Sequence, residues 1–128
     1  MISIGLEHLL AGDGRSLAGR RLGLLSNQAS TDRHLRHARL LLQQRFGRGL
    51  TCLFSPQHGF FAEKQDNMVE SGHSVDAETG LPLFSLYGDS RRPTAEMFEH
   101  IDVLLIDLVD VGTRVYTFLY TMAYCLEE

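Results

Sequence analysis

Four short apolar runs, separated by helical or polar segments, constrain the fold of this chain more than any other feature. They occupy residues 21–26, 50–55, 81–88 and 101–108. Each has the length and the polar flanks of a buried or extended strand. Strands that alternate with helices favour a parallel sheet joined by right-handed crossovers. We therefore expect an α/β fold, a Rossmann-like open and mainly parallel sheet with helices on both faces.

Helical patterns lie before and between these strands. Residues 4–10 predict a short helix, and a second helix follows the first strand, with Ser30, Thr31 or Asp32 as its cap and Gly47 as its stop. Its expected apolar face comprises Leu35, Ala38, Leu42 and Phe46, with arginines and glutamines opposite. Two further helices are predicted, one from Pro93 to the vicinity of His100 and one over residues 116–128. The polar stretch 56–80 has no clear period, and its length and aromatic content predict an ordered binding loop.

Composition narrows the classes of protein and partner. At 128 residues and 44% hydrophobic content, the chain can bury one ordinary core, so a single domain is expected. The formal net charge is −4 and no basic run exceeds two arginines, which argues against a nucleic-acid partner. The N-terminus lacks the pattern of an export signal, and no apolar stretch is long enough to cross a bilayer. We expect a cytoplasmic protein without a membrane partner, with a periplasmic or secreted location as the alternative if an export signal has been removed.

Several kinds of site leave no signature in the sequence. Cys52 and Cys125 lack the spacing of a metal or redox motif and are expected to be small buried hydrophobic residues. The histidines match no metal-ligand spacing, so no metal site is expected, and no motif of the chain predicts another cofactor. No glycine-rich phosphate loop follows a strand, which leaves a nucleotide-binding Rossmann domain as a weak alternative.

Polar residues with catalytic potential follow three of the predicted strands. The first strand runs into residues 26–28, the second into residues 55–59 and the fourth into residues 107–114. The carboxyl ends of parallel strands meet at one edge of a sheet, where α/β proteins bind ligands. We therefore expect amides, a histidine, carboxylates and an arginine to converge there.

Each of these residues has a functional and a structural interpretation. His58 could transfer protons, or donate to a carbonyl within a Pro-Gln-His-Gly turn. Asp107 and Asp110 could form a catalytic pair, or cap the following helix and accept backbone hydrogen bonds. Arg114 could clamp an anionic substrate or pair with either aspartate. Tyr116 could be a sugar platform or a core residue.

Motifs along nearly the whole chain resemble the NamZ-like exo-β-N-acetylmuramidase family, formerly a domain of unknown function. They are GLEHLL at residues 5–10, LAGRRLGLLSNQ at 17–28, FSPQHGFF at 54–61, TGLP at 79–82, SLYG at 85–88 and the stretch 102–120. The resemblance implies a glycoside hydrolase that removes N-acetylmuramic acid from the non-reducing end of peptidoglycan fragments without a metal or nucleotide. It also implies that residues 1–128 are the N-terminal, Rossmann-like part of a two-domain protein. The C-terminal domain, absent here, would complete the site.

One residue departs from the family pattern. Many members have glutamate where this chain has Gln57 in the turn before His58, and an amide cannot protonate a leaving group. Either the acid lies elsewhere, with Asp107, Asp110, Glu63 and Glu70 as candidates, or the protein binds sugar without cleaving it. Assistance by the acetamido group of the substrate is a third mechanism.

The resemblance also suggests roles for individual residues. Asp110 is our first choice for the charged catalytic role and His58 for proton transfer or substrate orientation, with Asp107 as the third catalytic candidate. The predicted substrate-binding residues are Asn27, Gln57, Asn67, Arg114 and Tyr116, with Arg114 facing the lactyl carboxylate of muramic acid. The alternatives are a non-catalytic amino-sugar or muropeptide-binding module and an inactive Rossmann-like fragment.

Overall fold

A computed structural model describes residues 2–56, 74–86, 92–110 and 118–128. The helices are α1 (Gly5–Ala11), α2 (Ala38–Phe46), α3 (Ala95–Phe98) and α4 (Phe118–Glu127). The strands are β1 (Leu22–Ser26), β2 (Leu50–Ser55), β3 (Ser74–Val75), β4 (Pro82–Ser85) and β5 (Val103–Asp107). Each of the four predicted strands is present, with ends that differ by no more than a few residues from the apolar runs.

The strands form one sheet in the spatial order β3-β4-β2-β1-β5. β4, β2, β1 and β5 are parallel to their neighbours, whereas β3 pairs with β4 in the antiparallel direction. The chain thus adds β2 and β4 on one side of β1 and then crosses to place β5 on the other side. This is the strand order of the first half of a Rossmann fold, and it confirms the predicted fold class.

Side chains alternate between the two faces of the sheet and form two cores. One core joins the strands to α1 and α2 and contains Leu6, Leu22, Leu24, Ala38, Leu41, Leu42, Leu50 and Leu53. The other lies against α3 and α4 and contains Leu25, Cys52, Phe54, Leu86, Met97 and Cys125. Helices therefore cover both faces, as predicted. Both cysteines are free and buried, and burial raises the pKa of each thiol to about 11, which confirms them as small core residues.

The N-terminal boundary of α2 was predicted incorrectly. The helix begins at Ala38, because the Asp32 carboxylate accepts hydrogen bonds from the backbone N–H groups of His34 and Arg36, both at 2.9 Å, and closes a turn there instead. Leu35 adopts a φ of 60° and is 83% exposed, so it is not part of the apolar face. His37 is the N-cap, through its ring nitrogen Nδ1.

The left-handed conformation of Leu35 yields a stability prediction. A residue with a Cβ atom is strained at positive φ, whereas asparagine tolerates this region. Because Leu35 buries little surface, Leu35→Asn should raise the free energy of unfolding by about 0.5–1 kcal/mol in urea denaturation. Leu35→Ala keeps the strain and serves as the control. Equal stabilisation by both variants would show that the backbone strain is not the cause.

β3 was not anticipated within the polar stretch 56–80. It has two residues, both exposed, and therefore carries no apolar pattern that sequence analysis could detect. Its pairing with β4 brings the end of that stretch back to the sheet. Among the described helices, none combines the length and the apolar character that spanning a membrane requires.

Candidate functional site

The strand order reverses between β1 and β5, and the crevice at the carboxyl ends of these two strands is the expected ligand site of such a sheet. Ser26 and Asp107, the last residues of the two strands, are register partners. In-register residues of parallel strands point to the same face. Both therefore lie on the face covered by α1 and α2, together with Leu24 and Leu105.

The loops that leave β1 and β5 are joined by Asn27, which is 1% exposed. Its Nδ2 donates to the carbonyl oxygen of Val109 at 2.8 Å, and its Oδ1 lies 3.5 Å from the backbone nitrogen of Val109. The Ser30 hydroxyl accepts from the Asn27 backbone N–H at 3.0 Å and contacts the carbonyl oxygen of Asp107. The predicted convergence of these two loops is confirmed. The role of Asn27 toward a sugar stays a prediction.

Asp107 has an unusual environment for a carboxyl group. The side chain is half-buried, and its Oδ2 atom is shielded from solvent without a hydrogen-bond partner in the part of the chain that the structure describes. The neighbouring Ser26 hydroxyl is buried and unpartnered in the same sense. Burial raises the pKa of Asp107, because the ionised form is poorly solvated there. A carboxyl group of this kind is suited to hold and donate a proton.

An open cavity of about 330 Å³ adjoins Asp107 on the same face of the sheet. Its wall is otherwise largely apolar and includes Leu6, Leu9, Leu24, Leu42 and Leu105. Asp110 follows three positions after Asp107 in the chain and is exposed at the same edge of the sheet. The two aspartates thus differ in environment, one half-buried beside an apolar wall and the other in contact with solvent. Among the described residues, no cluster of His, Cys, Asp or Glu side chains could hold a metal ion.

Five of the predicted site residues, Gln57, His58, Asn67, Arg114 and Tyr116, lie outside the described residues. Their proposed roles stay predictions. The described residues at this edge that sequence analysis did not assign to the site are Ser30, which was predicted only as a helix cap, and His37. Neither carries a recognisable catalytic pattern, and the contacts that reveal them are hydrogen bonds to backbone carbonyl oxygens 77 and 10 positions away in sequence.

Three comparisons with known proteins bear on the identity of the chain. Residues 22–128 match the sequence model of a family described as exo-β-N-acetylmuramidase NamZ, N-terminal. The peptidoglycan β-N-acetylmuramidase NamZ of Bacillus subtilis (strain 168) is 40% identical over 126 residues, which are 98% of this chain and 30% of that protein.

Two crystal structures share the fold. Both are DUF1343 family proteins from Bacteroides fragilis NCTC 9343. The first is 36% identical with a TM-score of 0.82, over 96% of this chain and 30% of that one. The second is 29% identical with a TM-score of 0.68, over 94% of this chain and 29% of that one. The chain thus spans about 30% of the length of these relatives.

Proposed function

The chain belongs to the family of exo-β-N-acetylmuramidase NamZ N-terminal domains, and from this premise we propose that it is the N-terminal part of a glycoside hydrolase. The whole protein would remove N-acetylmuramic acid from the non-reducing end of peptidoglycan fragments. The 40% identity to a peptidoglycan β-N-acetylmuramidase supports this substrate class. Because the matched part is 30% of that relative, the remaining walls of the site would come from a C-terminal domain.

The observation that carries this proposal is the half-buried carboxyl group of Asp107 at the point where the strand order reverses. Glycoside hydrolysis requires a proton donor for the leaving oxygen, and Gln57 cannot supply it. Burial raises the pKa of Asp107 and so favours the protonated form that a general acid needs. We assign proton donation to Asp107.

The charged role falls to Asp110, whose side chain is exposed at the same edge of the sheet. Two carboxyl groups in contrasting environments are typical of glycosidases, in which one donates a proton and the other stabilises or attacks the sugar. His58 would assist proton transfer or orient the substrate, and Arg114 would bind the lactyl carboxylate of muramic acid. The substrate-binding assignments of Asn27, Gln57, Asn67 and Tyr116 complete the proposal.

The test is release of N-acetylmuramic acid from a muramic acid–glucosamine disaccharide. We expect release by the full-length natural protein, and a decrease of about 10²-fold in turnover for its Asp110→Asn variant. This chain alone is expected to release little, because the C-terminal domain of the proposed hydrolase would supply the remaining walls of the crevice. Saturable binding of the disaccharide without product would instead support the non-catalytic binding module that Gln57 suggests. If the full-length protein neither bound the disaccharide nor released product, both functions would be contradicted.

A further inference from the structure

His37 connects α2 to the candidate site through both nitrogens of its imidazole ring. Nδ1 lies 3.2 Å from the backbone nitrogen of Arg39, and Nε2 lies 2.8 Å from the carbonyl oxygen of Asn27. The first contact caps the helix, and the second reaches the turn that follows β1. His37 is therefore placed to couple the start of α2 to the edge of the sheet.

These two partners determine the protonation state of the ring. A backbone N–H can only donate, so Nδ1 must accept and carry no proton, whereas a carbonyl oxygen can only accept, so Nε2 must donate. Only the neutral imidazole with its proton on Nε2 satisfies both bonds. A proton added to Nδ1 would face the N–H of Arg39 and break the cap.

The surroundings of the ring support the neutral form. Burial lowers the pKa of His37, the hydrogen bond to Asn27 acts in the opposite direction, and the nearby Arg39 lowers the pKa further. The negative charges of Asp76 and Glu78 act to raise the pKa of His37, but the net direction is downward. The lowered pKa of His37 favours the neutral imidazole that the two hydrogen bonds require.

The bond from His37 reaches the catalytic edge in few steps. Asn27 binds the backbone of Val109 through its side chain, and Ser30 contacts the carbonyl oxygen of Asp107. The backbone N–H of Ala38 also donates to the carbonyl oxygen of Ser30, at 2.8 Å. The start of α2 therefore contacts the turn that follows β1, and this turn in turn contacts the loop that follows β5.

We propose that His37 is a positioning residue of the hydrolase: as a neutral Nε2–H imidazole it fixes the Asn27 turn and, through it, the backbone that presents Asp107 and Asp110. This inference rests on the proposed function for its effect on turnover, whereas its effect on the two loops is independent of that function. We assign His37 itself no part in the chemistry.

Two variants separate positioning from simple helix capping. An asparagine at position 37 can accept from the N–H of Arg39 as an N-cap, but it is too short to reach Asn27. A glutamine can extend its amide donor to the place of Nε2, but it gives up the cap. In the full-length natural protein, we expect His37→Asn to retain thermal stability and lower kcat roughly 10-fold, because small displacements of catalytic groups are costly. We expect His37→Gln to retain kcat and to unfold at a lower temperature, because the N-terminal cap of α2 is lost.

Nuclear magnetic resonance of this chain provides a second readout that does not depend on catalysis. The ring ¹⁵N shifts should show the Nε2–H tautomer, and the amide signals of Asn27 and Val109 should move in His37→Asn but not in His37→Gln. Absence of turnover in every protein, with these spectral changes present, would count against the proposed hydrolase and leave the positioning role intact. Unchanged Val109 signals in His37→Asn, or a kcat that follows stability in both variants, would overturn the positioning role.

Discussion

Asp76→Asn is expected to destabilise the fold by about 3–5 kcal/mol, because it leaves the guanidinium of Arg39 buried without its full counter-charge. The side chains of both residues are 3% exposed, and Nε of Arg39 lies 3.1 Å from Oδ2 of Asp76. The hydroxyl of Thr79 donates to the same oxygen at 2.6 Å, and its backbone N–H at 3.1 Å. Removing the charge therefore weakens a cluster that ties α2 to the segment leading from β3 to β4. Urea denaturation measures the loss.

The same arginine offers a matched control. Its Nη2 atom lies 2.7 Å from Oε1 of Glu78, whose side chain is 54% exposed. Glu78→Gln removes a negative charge that pairs with the same guanidinium, but water screens this exposed pair. The variant should therefore lower the free energy of unfolding by less than about 1 kcal/mol. A loss from Asp76→Asn no larger than that from Glu78→Gln would contradict the importance of the buried pair.

The pH dependence of the Asp76 variant follows from linkage. Burial raises the pKa of Asp76, but the hydrogen bonds from Thr79 and the charge of Arg39 outweigh burial, so the net pKa lies below its ordinary value of 3.8. A lowered carboxyl pKa stabilises the fold above the unfolded pKa, and that contribution disappears as the pH falls through the folded value. The stability difference between the natural chain and Asp76→Asn should therefore shrink below pH 3.8.

The elements that sequence analysis predicted well are those with a local physical signal. The strands are short apolar runs because both faces of a parallel sheet are buried, and Asp107 was identified because it ends the most apolar of these runs. The cluster of Arg39 and Asp76 was not predicted, since its two residues are 37 positions apart and each resembles a surface residue in its local context. Leu35 was placed on a helix because its spacing to Ala38 and Leu42 fits one apolar helical face, and the Asp32 turn overrode that pattern.

The part of the site that sequence analysis predicted is likewise the part with a signal in the local sequence pattern. The convergence of the loops after β1 and β5 follows from the topology of a parallel sheet, which the alternating pattern indicates. The role of His37 depends on a hydrogen bond to a carbonyl oxygen ten residues earlier, and carbonyl oxygens are common to every residue. No feature of residue type or spacing identifies such a contact. Only the folded backbone does.

Asp107→Asn should have the largest effect on catalysis. In the full-length natural protein, replacing a general acid is expected to lower turnover of the disaccharide by about 10²- to 10⁴-fold. The fold should not be weakened at neutral pH, because the burial that raises the pKa of Asp107 penalises its ionised form, and asparagine carries no charge. Loss of activity without loss of stability would distinguish a proton donor from a structural carboxyl group.

The strand that carries Asp107 also supplies its control. Asp102 precedes the other end of β5 and pairs with Arg21 at 2.8 Å, and the hydrogen bonds from Arg21 lower its pKa to about 2. Asp102→Asn should therefore weaken the fold and leave kcat unchanged, the reverse of the pattern for Asp107→Asn. The raised pKa of Asp107 also fixes the sign of the pH profile, since turnover must fall as the pH rises through that pKa and the proton is lost. If Asp107→Asn kept turnover within about 10-fold of the natural protein, the acid would lie elsewhere.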